Sequence, residues 1–279
     1  MRLLDYAADV YSQFGEDGIL ERILELLPIR DKWCVEFGAW DGQHLSNTCH
    51  LIQHGGYSAV LIEADTQRFG DLLSRFANNH NVLALNKVVG FSSSDGLDAL
   101  LVGTPIPKDF DLLSIDVDGN DYHIWNAISA YAPKVVCIEY NPTIPTEVDF
   151  VQPPDLKVNQ GSSLSALVRL GRQKGYELAC VTGANAIFVR AIYFSLLGIL
   201  DNEPRALRED ISQIAQIFCG YDGTLFIAGS QESPWHGIRY RGRLRQLPKI
   251  FRVYPGNFGR SKSVVFGVYR KLCRLLERG

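Results

Sequence analysis

Apolar and polar positions follow two alternating rhythms along this chain. Short, almost wholly apolar runs at 32–38, 57–63, 81–88, 110–116 and 134–140 predict buried strands. Between them, 44–54, 66–78, 94–102 and 121–131 predict helices. A first helix is expected over 12–27, with Ser12 as its N-cap, Phe14, Ile19, Ile23, Leu24 and Leu27 at helical spacing, and Pro28 beyond its end. A Pro- and Asp-rich loop, 141–160, precedes a helix at 162–174 and strands at 176–181 and 185–190. Those last two strands are joined by Thr182-Gly183-Ala184. Three residues cannot hold a helical crossover, so the two must form an antiparallel hairpin. Wholly apolar strands separated by helices predict an α/β fold, with a mostly parallel sheet covered by helices on both faces. Beyond 190 the pattern predicts a helix at 204–218, a turn into a strand at 221–227, and a terminal helix at 264–277.

Charge changes the picture of the C-terminal part. The net charge of −3 conceals twelve Lys and Arg against two Asp and Glu in residues 231–279. The rest of the chain carries sixteen basic and twenty-nine acidic side chains. The expected organisation is therefore one domain over 1–230, with its core at about 10–190, and a basic extension over 231–279 that ends in an amphipathic helix. Such a helix could sit on an anionic membrane surface, bind nucleic acid, or fold onto the acidic body. Arg239, Arg241, Arg243 and Arg245 alternate as on one face of a strand, and no recognised nucleic-acid motif accompanies them, which argues against nucleic acid. Residues 1–5 carry no signal-peptide apolar segment, and the longest apolar stretch, 191–200, is about half a membrane span. The expected location is cytoplasmic, with possible peripheral contact at the inner membrane surface. Six cysteines, at 34, 49, 137, 180, 219 and 273, show no C-x-x-C spacing and read as reduced thiols.

Candidate chemistry sits at the ends of the predicted strands, where open α/β sheets bind ligands. The first strand runs into Val35-Glu36-Phe37-Gly38-Ala39-Trp40-Asp41-Gly42. Gly38 and Gly42 allow a tight turn and a close approach of backbone to ligand. A dinucleotide fingerprint would need glycine at position 36, where Glu36 stands. A carboxylate there repels a pyrophosphate and attracts an amino group or sulfonium. Glu63, at the end of the second strand, is placed to accept ribose hydroxyls. Asn86, at the end of the third, is placed to meet an adenine. The fourth strand ends in Asp116-Val117-Asp118-Gly119-Asn120-Asp121, an acidity that packing does not require. These carboxylates could hold a divalent cation through Asp116 and Asp118, deprotonate an acceptor directly, or cap a helix through Asn120 or Asp121. His123 is a candidate base, and Glu139 and Asn141 project at the same rim. His50 and His54 share a helix face without a supporting carboxylate and read as surface or packing residues.

The segments Ser12-Gln13-Phe14-Gly15-Glu16-Asp17-Gly18, 35–42, 61–65, 111–121 and 138–142 together resemble the FkbM-type methyltransferases over roughly residues 10–190. Tyr221-Asp222-Gly223-Thr224 and Trp235-His236 resemble the C-terminal part of one subgroup. The resemblance implies a Rossmann-like methyltransferase sheet with one antiparallel strand, S-adenosylmethionine as cofactor, and O-methylation of a sugar, glycan or polyketide hydroxyl. Residues 36–42, Glu63, Asn86 and Asp116 would then face the cofactor, and Asp116, Asp118, His123 and Glu139 the acceptor. Asp118-Gly119-Asn120-Asp121 stands where many members resemble Glu-Gly-x-Glu, so the carboxylates here are one methylene shorter. A nicotinamide-dependent oxidoreductase and a non-catalytic binding protein are the competing readings. Glu36 and the closing hairpin weigh against the first, and fold alone does not exclude the second.

Overall fold

The structure, a computed structural model, describes residues 1–239, 243–245 and 247–276. Chain contacts divide it into two compact units, Met1–Ile211 and Ser212–Gly279. The strands of residues 215–229, which the sequence reading groups with the larger domain, thus belong to the second unit.

The larger unit runs in the order α1 (Glu16–Leu26), β1 (Trp33–Phe37), α2 (Cys49–His54), β2 (Ser58–Glu63), α3 (Thr66–Arg75), β3 (Val82–Asn86), α4 (Leu97–Leu101), β4 (Leu112–Ile115), α5 (Asp121–Ala127), β5 (Val135–Glu139), α6 (Leu164–Gln173), β6 (Tyr176–Val181) and β7 (Asn185–Arg190). Its seven strands lie in the order β3-β2-β1-β4-β5-β7-β6. All neighbours are parallel except β7, which runs antiparallel to both β5 and β6. This is the predicted Rossmann-like methyltransferase sheet with its C-terminal hairpin.

Strand alternation divides the core between the two faces. Val35 and Phe37 of β1, Val60 and Ile62 of β2, and Leu113 and Ile115 of β4 pack with α4, α5 and α6. Cys34, Leu61, Leu112 and Cys137 point the other way and pack with α1, α2 and α3. Lys134 is buried just before β5, with its ammonium 2.8 Å from Asp111 and 2.5 Å from Asp31.

Helix α5 ends at Ala127 rather than 131, the terminal helix starts at Arg260 rather than 264, and three further elements differ from the prediction for identifiable reasons. Helix α1 starts at Glu16, not Ser12, because the Asp17 carboxylate gathers the amides of Val10, Tyr11 and Ser12 into a loop. Ser12 is not an N-cap: its hydroxyl donates to Asp9 and accepts from the Asp17 amide, and Gly15 stands at the cap position. Helix α2 is shorter than expected, because 44–48 form a turn around Glu36. The helix expected over 204–218 is a single turn, α7 aside: after α7 (Ala191–Phe194), α8 spans Pro204–Leu207, and β8 (Ala215–Cys219) is a strand. Here the Gly220–Gly223 turn lets β8 pair antiparallel with β9 (Thr224–Gly229), and pairing overrides the apparent helical period.

In the second unit β12 (Arg243–Arg245) adds to β9, after a small hairpin of β10 (Glu232–Ser233) and β11 (Ile238–Arg239). Helix α9 spans Arg260–Leu276. Within the alternating arginines, Arg241 lies outside the described residues, as does Glu277 of the predicted terminal helix. Among the described cysteines, four are buried, Cys219 is exposed and Cys273 is half-buried, all as free thiols. No helix of the described residues is long and apolar enough to cross a membrane.

Candidate functional site

The carboxyl ends of β1, β2, β4 and β5 meet where the strand order reverses between β1 and β4, which is where open α/β sheets bind ligands. Gly38 shows how close the strand ends come. Its φ is +73°, and a Cβ built on it would lie 1.8 Å from the Asp116 carbonyl oxygen. Only glycine meets both demands. Beyond it the chain turns through Ala39, whose amide donates to the Ile62 carbonyl, and Gly42, whose amide donates back to Ala39. Trp40 holds a left-handed φ of +50°, a strained conformation for a bulky residue. Its exposed ring carries the Arg68 guanidinium 3.5 Å from the ring centroid.

Glu36 is not at the rim, which corrects the sequence reading. Strand alternation turns its side chain into the layer shared with α2. There its carboxylate accepts from the Ser46 hydroxyl (2.6 Å), the Thr48 hydroxyl (2.7 Å) and the Asn47 amide (2.8 Å). It is 4% exposed, and burial pushes its carboxyl up against those hydrogen bonds. These bonds shape the loop after the glycine turn.

Glu63 is buried at the end of β2, accepting from the Trp40 amide at 2.8 Å and the Asp65 amide at 2.7 Å. Each oxygen keeps a second lone pair for a ligand hydroxyl. Asn86 donates its side-chain amide to the Glu63 and Ala64 carbonyls, so it fixes the loop after β2. Asp41 accepts from Gln43 and His44 amides and pairs with Arg75 at 2.7 Å. Both lie beside a cleft that Val10, Tyr11 and Leu45 help to line.

The acidic cluster is real and compact. Asp116, Asp118 and Glu139 each place a carboxylate oxygen within 4.8 Å of the others. The register that pairs Ile115 with Ile138 makes Asp116 and Glu139 neighbours on one face. Burial, then the charges of Asp121 and Asp118, push the Asp116 carboxyl well above the usual range. Burial, then Asp116, Asp121 and Asp118, do the same to Glu139. Asp121 is buried and accepts from the Val117 and Gly119 amides, both at 2.9 Å. Burial lifts it to about 6 despite those bonds. Neither Asn120 nor Asp121 caps α5 through its side chain: Asp121 braces the turn that leads into the helix, while Asp116, Asp118 and Glu139 carry the oxygen donors that a hard cation takes.

Asp118 has a φ of +56° and Gly119 one of +154°. A Cβ on Gly119 would stand 3.0 Å from both the Gln152 side chain and the Val158 carbonyl. The loop of 141–160 therefore lies over this turn. His123 is held by that loop, which fixes its tautomer and leaves Nδ1 as its basic nitrogen. Its Nε2 is 2.7 Å from the Gln152 carbonyl, an acceptor that requires Nε2 to carry the proton, and its ring lies against Phe91 and Tyr122. Asn141 also serves this loop, accepting from Thr143 and donating to the Gln160 carbonyl.

Two contributors escaped the sequence reading. Gln152 is 1% exposed and accepts from the Gln160 and Gly161 amides while donating to Val158, so it organises the loop from within. Glu16 is fully buried, accepts from Thr182 and Asn185, and adds its charge to the field at Asp116. Its sequence signal was its place in the motif of residues 12–18, which marked the segment but gave this carboxylate no role. His50 is half-buried with its ring against that of His54, and its Nε2 lies 3.6 Å from Glu21, so this helix face does have a carboxylate beside it, contrary to the expectation.

No family profile and no curated protein sequence matches the chain. The resemblance to FkbM-type methyltransferases thus rests on its quoted motifs. Among solved structures, precorrin-6y C5,15-methyltransferase from Geobacter metallireducens overlaps 65% of this chain and 90% of its own, at 18% identity and a TM-score of 0.36. The citrinin polyketide synthase CMeT domain overlaps 66% of this chain and 55% of its own, at 14% identity and a TM-score of 0.44. The N-terminal domain of EvdMO1 with SAH bound overlaps 65% of this chain and 83% of its own, at 12% identity and a TM-score of 0.42.

Proposed function

We propose that this chain is an S-adenosylmethionine-dependent methyltransferase that methylates a hydroxyl of a sugar or glycan. The observation that carries the reading is the strand order with an antiparallel β7, joined to a buried carboxylate, Glu63, at the end of β2. A nicotinamide oxidoreductase would normally keep its sheet parallel. The residues present fit the cofactor: the Gly38 turn brings backbone to the switch point, and Glu63 offers lone pairs for ribose hydroxyls. When bound, S-adenosylmethionine supplies an electrophilic methyl group.

The protein's own contribution is alignment and proton handling. Asp116, Asp118 and Glu139 would accept hydrogen bonds from the acceptor's hydroxyls and hold the attacking oxygen in line. A carboxylate lifted well above its usual range is a stronger base than an exposed one, which suits Asp116 or Glu139 to take the hydroxyl proton. The loop of 141–160 packs over the Gly119 backbone and fixes the turn that carries Asp118. A divalent cation held by Asp116, Asp118 and Glu139 would polarise the same hydroxyl instead.

The test combines binding and turnover. S-adenosylhomocysteine should raise the melting temperature of the full chain and NAD should not. Labelled methyl should pass to a member of a panel of nucleotide sugars and lipid-linked oligosaccharides, with and without EDTA. Asp116→Ala should abolish transfer while the S-adenosylhomocysteine shift survives. A shift with NAD alone would overturn the class, and cofactor binding with no transfer to any glycan, lipid or protein pool would make this a binding protein.

A further inference from the structure

The second unit carries a surface that methyl transfer does not require. Helix α9 packs one face on its own unit: Phe266 meets Phe251 and Phe258, and Tyr269 meets Phe251. The other face is apolar and uncovered. Val264, Val265, Val268, Leu272 and Leu275 are 54–68% exposed. At 100° per residue these five fall within an arc of about 100°, a continuous stripe along a helix some 25 Å long. A globular surface scatters such residues singly, so a stripe of this kind is built to be covered.

The charges around the stripe say what covers it. Arg260, Lys271 and Arg274 fall along one edge of it, and the helix contains no Asp or Glu from Arg260 to Leu276. The unit as a whole, residues 212–279, holds twelve Lys and Arg against three Asp and Glu, while residues 1–211 hold sixteen against twenty-eight. An apolar stripe edged by cations matches acyl chains beneath anionic headgroups: the long basic side chains lie along the boundary and reach outward with their charges. Trp235 and Tyr254, both more than half exposed, are the aromatic types that favour the same boundary. The helix is too short and too charged to span, so it lies in the interface plane.

We infer that α9 docks this protein peripherally on an anionic phospholipid surface, with Val264, Val265, Val268, Leu272 and Leu275 inserted and Arg260, Lys271 and Arg274 at the headgroups. This inference stands apart from methyl transfer and survives its failure.

The experiment is co-sedimentation of the full chain with vesicles of phosphatidylcholine containing 30% phosphatidylglycerol, against pure phosphatidylcholine vesicles. Expected is at least tenfold stronger partitioning to the anionic vesicles, declining with salt. The double variant Val268→Glu/Leu272→Glu should lose at least tenfold of that binding, and Lys271→Glu/Arg274→Glu should lose its salt-dependent part. Circular dichroism and the melting transition of each variant, matched to the parent, separate lost docking from lost folding. Equal binding to both vesicles, no binding at low salt, or binding untouched by the double variant would overturn the inference. So would a dimer in sedimentation velocity that the double variant disperses while vesicles bind nothing, which would assign the stripe to a second copy. Retention on RNA without retention on vesicles would assign the charge to nucleic acid.

Discussion

Glu36 offers the sharpest test of how the site is built. In the structure its carboxylate holds the Ser46, Thr48 and Asn47 donors at 2.6, 2.7 and 2.8 Å, with the Ser114 hydroxyl beside them, and touches no rim. A hydrogen bond to a charged group contributes roughly 1.5–3 kcal/mol, and the three share one acceptor, so they do not add in full. Glu36→Gln keeps an oxygen for the Asn47 amide but turns an NH2 toward Ser46. The Ser46 oxygen already accepts from the Thr48 and Cys49 amides at 3.2 and 3.0 Å, so it has no lone pair left to receive that NH2. Relief of a buried charge offsets part of the loss. The net expectation is about 2 kcal/mol lost, and at about 2–4 °C per kcal/mol for a domain of this size the melting temperature falls by roughly 4–8 °C. Glu36→Ala, which orphans all three donors, should fall further. The assay is thermal unfolding of the full chain alone and with S-adenosylhomocysteine. Glu36→Gln should melt early but keep its ligand-induced increment. A Glu36→Gln protein that melts within 1 °C of the parent and no longer responds to S-adenosylhomocysteine would refute the reasoning, because it would put this carboxylate on the ligand.

Other outcomes follow from the same geometry. Gly38→Ala combines a left-handed φ with a Cβ 1.8 Å from the Asp116 carbonyl, so β1 and β4 must part at their ends. It should lower stability by more than the ~1–2 kcal/mol of the conformation alone and abolish the S-adenosylhomocysteine shift, checked by the same melts. Glu139→Gln should stabilise the protein in a pH-dependent way. The folded carboxyl is raised by burial and then by Asp116, Asp121 and Asp118, so ionising it opposes folding. That opposition is absent below the unfolded glutamate range of ~4.3 and grows as pH rises toward the folded value. The variant should therefore melt a few degrees higher at pH 8, on the order of 1 kcal/mol, and the gap should shrink steadily to pH 5. A gap of constant size would show that Glu139 does not titrate in the folded range.

The sequence alone determined the layers of this protein. Apolar runs too continuous for a one-sided sheet, spaced by helical patterns, required a parallel sheet with two covered faces, and Thr182-Gly183-Ala184 was too short for anything but a hairpin. Those are local facts about period and chain reach, and no tertiary contact alters them. It also placed the acidic cluster, because carboxylates just after a buried strand must emerge at the sheet's edge. The tertiary structure decided which way each of those side chains works. Glu63 ends β2 and Glu36 stands one residue before the end of β1, yet Glu36 is consumed by the loop before α2 and Glu63 is left with lone pairs at the switch point. His123 reads as a free side chain at the rim, yet the Gln152 carbonyl in the loop of 141–160 accepts its Nε2–H and fixes the ring. Residues 215–218 read as the end of a helix until β9 pairs with them. In each case a partner far along the chain, or a hydrogen bond that only the assembled sheet brings within reach, outweighed the local pattern.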